Sequence, residues 1–349
     1  MFSIDQVVEN YWPNHRPASW QRRLLKWALR EADFQQFAAR YPHLKGLDMV
    51  EQVLEHLDVR CELSERDLEQ IPPRGPVVIV ANHPLGALDG LALLSAVSQV
   101  RRDVKIVANR LLMSLEPLNS LMLPVDNMGN RTNRQQLQRM QQHLNNQGVL
   151  IIFPAGEVSR LSSSGVRDRR WHHSFLRLAA RARAPLVPVH VEGRNSTLFY
   201  ATAKVAPPLA MLMLVREMFK QRGSRIKLRI GAQIPFAHWH DGHTPGKELA
   251  KRLRKHLYRL GQGRKGLFQT ESAIARAEDR AELKKRCLKA SISAQPATVS
   301  RSTCGDATAQ PGCRCCVNWG GCVKLPSAPW VKAVVAAAIW ITLMMIIIT

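Results

Sequence analysis

From Pro72, Pro73 and Gly75 onward, short β-branched runs bounded by turn residues alternate with longer stretches that are apolar at every third or fourth position. The runs lie at 76–82 (PVVIVAN), 103–109, 148–154, 184–193 and 225–231. Between them fall GLALLSAVSQV, NRQQLQRMQQHLNN and SFLRLAARAR, which carry the helical period. Continuous apolar strands alternating with helices predict an α/β domain whose central, largely parallel sheet is flanked by helices. No fixed-period repeat is visible.

Before this region, WQRRLLKWALREADFQQF (20–37) places Trp20, Leu24, Trp27 and Phe34 at helical spacing among Arg22, Arg23, Lys26 and Arg30. The pattern predicts an amphipathic helix, either packed on its own domain or lying at a lipid interface. PPLAMLMLVREMFKQRGSR (207–225) is a further helix, read either as buried or as facing an acyl chain or the lipid interface. The expected organisation is an N-terminal helical segment over 1–70, the α/β domain over 71–268 and a helical connector over 269–290. A disordered, cysteine-rich linker over 291–332 and an apolar segment over 333–349 follow. Those last 17 residues meet the lower limit for a bilayer span, and Lys324 and Lys332 precede them, as a cytoplasmic domain requires.

Composition narrows the partners. Lys and Arg number 50 against 27 Asp and Glu, a formal charge of +23, which suits lipid headgroups, nucleic acid or an acidic carrier protein. Aromatic residues are only 6% of the chain and no nucleic-acid docking motif appears, so nucleic acid is not expected. Residues 1–286 hold only Cys61, which excludes a disulfide framework for the main body. Cys313 and Cys316 form a single C-x-x-C without a second pair, so no metal site is expected. The N-terminus lacks a secretory signal, and no serine elbow, Walker loop or dinucleotide fingerprint occurs.

The chemistry concentrates at two strand ends. In VVIVANHPLGALDGLALL a strand ends at Asn82-His83, a Pro84/Gly86 turn follows, and Asp89 opens a helix. Loops at the C-terminal ends of parallel strands are free to present side chains while the sheet holds them rigid. His83 suits a general base, and a carboxylate bonded to one ring nitrogen would leave the other able to take a hydroxyl proton; Asp89 is the candidate. The alternative is a turn histidine beside a helix cap. A second turn, Phe153-Pro154-Ala155-Gly156-Glu157-Val158-Ser159-Arg160, carries a carboxylate, a hydroxyl and a guanidinium after the next core strand. On neighbouring strands the two turns would line one crevice, with Asn82, Glu157 and Arg160 as candidate substrate ligands. His172-His173 and Arg194-Asn195-Ser196 are weaker candidates, each also explained as a solvated turn.

The NH…D turn, the later FP-x-G-x-x-S and the VPV strand at 187–189, in that order over residues 1–268, resemble the glycerolipid and lysophospholipid acyltransferase superfamily. The resemblance implies that His83 removes the acceptor hydroxyl proton, that Asp89 orients it, and that Phe153, Pro154, Gly156 and Ser159 hold the acceptor. It implies an acyl carrier protein or coenzyme A thioester as donor, a lyso-lipid acceptor and no further cofactor. Two features depart from the family pattern. Five residues rather than four separate His83 from Asp89, and FPEGTRS has become FPAGEVS, with Val158 in place of the phosphate-meeting Arg and Arg160 two positions on.

NHPLGALDG with FPAGEVSRL is similar to the O-acyltransferase domain of bacterial ornithine-lipid synthesis proteins of the haemolysin type. This implies lyso-ornithine lipid, or a lysophospholipid such as lysophosphatidic acid, as acceptor. It also implies a site of action on an anionic membrane surface, at the cytoplasmic face of the bacterial inner membrane, peripheral or C-terminally anchored. ESAIARAEDRAELKK (271–285) resembles the connection to a second, N-acyltransferase domain, and the unlike tail after about Cys287 is expected to reflect a frameshift or truncation. The competing functions are a catalytically inactive membrane-attached protein of the same fold and a basic nucleic-acid-binding protein.

Overall fold

In the computed structural model, residues 5, 18–109, 112–113, 115–125 and 134–271 are described. The C-terminal linker, its cysteine cluster and the apolar segment lie outside the described residues, as does all but the first few positions of the connector.

A single sheet of seven strands organises the domain, in the order β1-β9-β8-β2-β5-β3-β4. The strands are β1 (Arg60–Glu62), β2 (Val77–Ala81), β3 (Val104–Asn109), β4 (Met122–Val125), β5 (Val149–Ile152), β8 (Leu186–Glu192) and β9 (Arg225–Ile230). All neighbours are parallel except β8 and β9. Between β5 and β8 the chain makes a small antiparallel hairpin, β6 (Arg160–Ser162) with β7 (Gly165–Arg167).

Strand β2 is central, and all five of its residues are buried, because a parallel strand covered on both faces needs a continuous apolar run. Its side chains divide by alternation: Val77, Ile79 and Ala81 enter one hydrophobic cluster, Val78 and Val80 the other. The first cluster is built with α3 (Gly46–His56), α5 (Ala87–Ser98), α8 (Thr197–Val205) and α9 (Pro207–Lys220). The second is built with α6 (Arg134–Asn145), α7 (Ser174–Arg181) and α11 (Gly246–Gly261). Two further helices, α4 (Glu65–Glu69) and α10 (Phe236–Trp239), are short.

The helix expected over 20–37 is broken. Helix α1 (Ser19–Ala28) ends, Arg30 adopts a left-handed φ of 56°, and α2 (Glu31–Arg40) begins. Arg30 is fixed there by Asp33 at 2.6 Å and by the Phe219 ring, 4.7 Å from its guanidinium carbon. Leu25 and Leu29 pack into the core, whereas Trp20, Leu24 and Trp27 face outward, with Trp20 65% and Trp27 64% exposed. The helix therefore both packs on its domain and presents an apolar stripe. The Phe34 side chain lies outside the description. The N-terminal segment also supplies β1 to the sheet and Phe37, Met49 and Leu57 to its core. Among the described residues no helix is long and apolar enough to cross a membrane, and no cluster of three His, Cys, Asp or Glu is placed to hold a metal.

Candidate active site

Because β2 is parallel to both β5 and β8, the loops that follow these three strands emerge at one edge of the sheet. Asn82 ends β2. Its amide nitrogen donates to the Val191 carbonyl and its amide oxygen accepts the Val191 N–H, both at 2.8 Å, which ties the strand end to β8. This bonding, at 2% exposure, turns a candidate substrate ligand inward.

His83 follows with its main chain held from both sides. Its N–H donates to Asp168 Oδ1 at 3.2 Å, and its carbonyl accepts the Ser159 N–H at 2.8 Å. Its ring stacks on Phe153 with centroids 4.1 Å apart and planes 24° from parallel, so β5 sets the orientation of a side chain carried by β2. The Pro84 carbonyl accepts the Asn195 amide at 3.0 Å, which brings in the loop after β8. Gly86, at φ 81°, then reverses the chain into α5.

Asp89 is the third residue of α5. Its Oδ2 accepts the N–H groups of Leu85 at 2.8 Å and Gly86 at 3.1 Å, and lies 3.1 Å from His83 Nδ1 on a bent approach. The carboxylate is fully buried, while the His83 side chain is 19% exposed; at this approach neither His83 Nδ1 nor Asp89 Oδ1 completes a hydrogen bond of regular geometry. Burial pushes the Asp89 carboxyl above the usual carboxylate range, opposed first by His83 and then by the two backbone donors. The added residue between His83 and Asp89 is absorbed in the Pro84–Gly86 turn and leaves the pair in reach.

The turn after β5 closes with the Gly156 N–H on the Phe153 carbonyl at 3.1 Å, and the Pro154 carbonyl accepts the His172 N–H at 2.8 Å. Glu157 pairs with Arg160 at 3.1 Å, and Arg160 also donates to the Ala203 carbonyl at 3.1 Å. Ser159 is 1% exposed, and its hydroxyl donates to Asp168 Oδ1 at 2.5 Å. That excludes a Ser–His–Asp triad built on Ser159, since its proton goes to a carboxylate and not to the imidazole. His173 precedes α7, and Ser196 caps α8 through the Phe199 N–H at 3.2 Å while bonding the buried Glu217.

Sequence reasoning missed Asp168. Besides His83 and Ser159 its carboxylate accepts the Trp171 indole N–H at 2.8 Å, and its own N–H donates to the Tyr258 hydroxyl at 2.7 Å. The loops after β2 and β5 and helix α11 thus meet at one buried acid. The sole signal is a lone Asp in the basic run GVRDRRW.

Residues 12–263 match the family described as Acyltransferase. The chain belongs to the acyltransferase family. This acyltransferase is 32% identical over 222 residues to the lyso-glycine lipid O-acyltransferase of Phocaeicola vulgatus, an alignment covering 62% of this chain and 78% of the relative. The protein of the same name from Bacteroides thetaiotaomicron is 33% identical, with 62% and 80% covered. The crystal structure of the 1-acyl-sn-glycerophosphate acyltransferase of Thermotoga maritima aligns with a TM-score of 0.40 at 19% identity, covering 62% of this chain and 79% of that one.

The site is equipped for base-assisted attack. A histidine with Nδ1 beside a buried carboxylate can receive, on its other ring nitrogen, a proton from a hydroxyl brought to the sheet edge. The carboxylate stabilises the imidazolium that forms, at a helix N-terminus that favours negative charge.

Proposed function

We propose that this acyltransferase moves a fatty acyl group from a thioester to the hydroxyl of a lyso-lipid. The observation that carries the reading is the His83–Asp89 pair, at 3.1 Å, on the central strand edge of a chain in the acyltransferase family. In the reaction His83 Nε2 takes the acceptor hydroxyl proton as the oxygen attacks the thioester carbonyl. The tetrahedral adduct collapses with cleavage of the carbon–sulfur bond, and the proton held on His83 passes to the departing sulfur. The ester forms directly, without an acyl-enzyme intermediate, and no resident cofactor takes part.

The acceptor we favour is an amino-acid lyso-lipid of the ornithine or glycine type. The names of the two relatives support this class, as does Val158 at the position where a phosphate-binding Arg is usual. Acyl carrier protein and coenzyme A are both suitable donors for so basic a chain. The exposed Trp20, Leu24 and Trp27 on α1, beside the exposed Arg22 and Arg23, support docking on an anionic bilayer, at the cytoplasmic face of the inner membrane.

The test is a mass-spectrometric lipid profile of cells expressing the wild type or His83→Ala, supplied with lyso-ornithine lipid, lyso-glycine lipid and lysophosphatidic acid. A His83-dependent gain of a diacylated amino-acid lipid supports the reading. A gain of phosphatidic acid alone would reassign the acceptor, and no gain with any of the three would refute lyso-lipid acylation.

A further inference from the structure

A cleft of about 620 Å³, with Asp168 in its wall, is lined by residues of the β6–β7 hairpin, α8 and α11. Five cations line it: Arg160, Arg167, Arg169, Lys204 and Arg254. The acid in its wall, Asp168, already accepts three donors from His83, Ser159 and Trp171. Glu157 beside it meets Arg160 at 3.1 Å and Arg169 at only 3.9 Å. Arg167 lies over the Tyr258 ring, 5.0 Å from its centroid, and among the described residues neither Arg167, Lys204 nor Arg254 has a carboxylate partner. So many uncompensated cations in one concavity repel each other, and an oxyanion seated among them would relieve that repulsion with charge-assisted hydrogen bonds.

The same cleft touches the catalytic turn twice. Asp168 takes the His83 N–H, and Tyr200, another wall residue, accepts the Asn195 N–H, while the Asn195 amide holds the Pro84 carbonyl. Asp168 and Tyr200 thus join the wall of the cleft to the main chain of the turn that carries His83. Leu161, which lines the cleft, is 45% exposed, and Val205, the residue after Lys204 in the chain, is 88% exposed. A charged concavity with exposed apolar residues on the same elements suits an anionic amphiphile better than the polar surface of a carrier protein.

We infer that this cleft binds the oxyanion, carboxylate or phosphate, of the acceptor lipid's headgroup, with Arg254, Lys204 and Arg167 as its ligands. The inference rests on the lyso-lipid reading above and extends it to residues outside both motif turns. It places headgroup selection on α8, α11 and the hairpin, and leaves the β2 and β5 turns to the chemistry.

The test is equilibrium binding, which needs no turnover, of three amphiphiles of one chain length: an N-(3-hydroxyacyl)glycine, a lysophosphatidate and an uncharged monoacylglycerol. The wild type is expected to bind the two anions roughly tenfold or more tighter than the neutral lipid. Lys204→Gln, at an exposed position, and Arg254→Gln should each lose most of that margin, and the stronger of the two anions identifies the headgroup. Inorganic phosphate should not compete at concentrations that saturate the amphiphile. Equal binding of charged and neutral lipids would overturn the assignment, as would unchanged selectivity in Lys204→Gln. Competition by inorganic phosphate as effective as the amphiphile would make this a free-anion site. A rise in KM for the thioester carrier, with acceptor binding intact, would give the cleft to the donor instead. Anion-selective binding without any acyl transfer would leave the cleft standing and count against the reaction.

Discussion

Asp168 Oδ1 accepts the backbone N–H of His83 at 3.2 Å, so a buried acid from the segment after the β6–β7 hairpin fixes the main chain of His83. The same oxygen takes the Ser159 hydroxyl, which couples the position of the His83 ring to the turn that carries Phe153.

Asp168→Asn keeps the shape but replaces one acceptor oxygen by a donor, so at least one buried N–H or O–H loses its partner. The expected cost is about 1–3 kcal/mol of stability, with kcat reduced more than KM is raised, because the base is displaced and not the substrate. Urea denaturation and steady-state kinetics check this. Ser159→Ala removes a single donor and should show the smaller effect on both.

Asp89→Asn separates stability from activity. Burial raises the native carboxyl above its unfolded value, so the folded state holds that proton more tightly. The contribution to stability is then greatest below the unfolded pKa and falls as pH rises through the raised one. The asparagine variant lacks this loss and is expected to be no less stable than the wild type at pH 7, while acyl transfer drops by roughly 10²–10⁴-fold. Urea midpoints at pH 4 and pH 7 measure the first, and initial rates the second. A large destabilisation with rates near normal would show Asp89 to be a helix cap alone.

Gly86→Ala tests the turn that absorbs the extra residue between His83 and Asp89. A Cβ there would meet Val158 at 3.7 Å and Leu214 at 3.8 Å, ordinary contacts, so the cost is conformational and not steric. At φ 81° and ψ −132° it is about 1–3 kcal/mol. The backbone donors to Asp89 come from this turn, so the rate should fall together with Tm.

Much of this was legible in the chain, and the exceptions have physical reasons. Long buried strands such as Val77–Ala81 announce themselves because both faces must be apolar, and the turns after β2 and β5 stand out because Asn, His, Pro and Gly interrupt them. β1 and the hairpin strands are three residues each, too short to show a period, and Arg60–Glu62 is largely exposed. The helix break at Arg30 is set by tertiary partners, Asp33 and the ring of Phe219, and Arg30 itself carries no breaker signal. Asp168 was hidden for a related reason: a buried acid inside a run of arginines looks like a solvated face until its three donors are seen.

His256 provides a pH-dependent test of the packing of α11 against Leu267 and Phe268. Its Nδ1 accepts the N–H groups of Leu267 at 3.0 Å and Phe268 at 3.2 Å, and burial holds the ring down to about 4. Between pH 6.5 and 4 the unfolded chain therefore binds the proton that the folded one refuses, and stability falls as pH is lowered. From pH 6.5 to pH 5 the loss from this residue is about 1.5 kcal/mol. Denaturation curves should show that difference shrinking in His256→Gln.

The most direct test of the central claim is the initial rate of acyl transfer from a labelled thioester to a lyso-lipid by purified wild type and His83→Ala. Circular dichroism and the thermal midpoint report whether both are folded. The account predicts a folded His83→Ala protein whose transfer is lost to within the background rate. Near-wild-type transfer by folded His83→Ala would contradict it and remove His83 as the base.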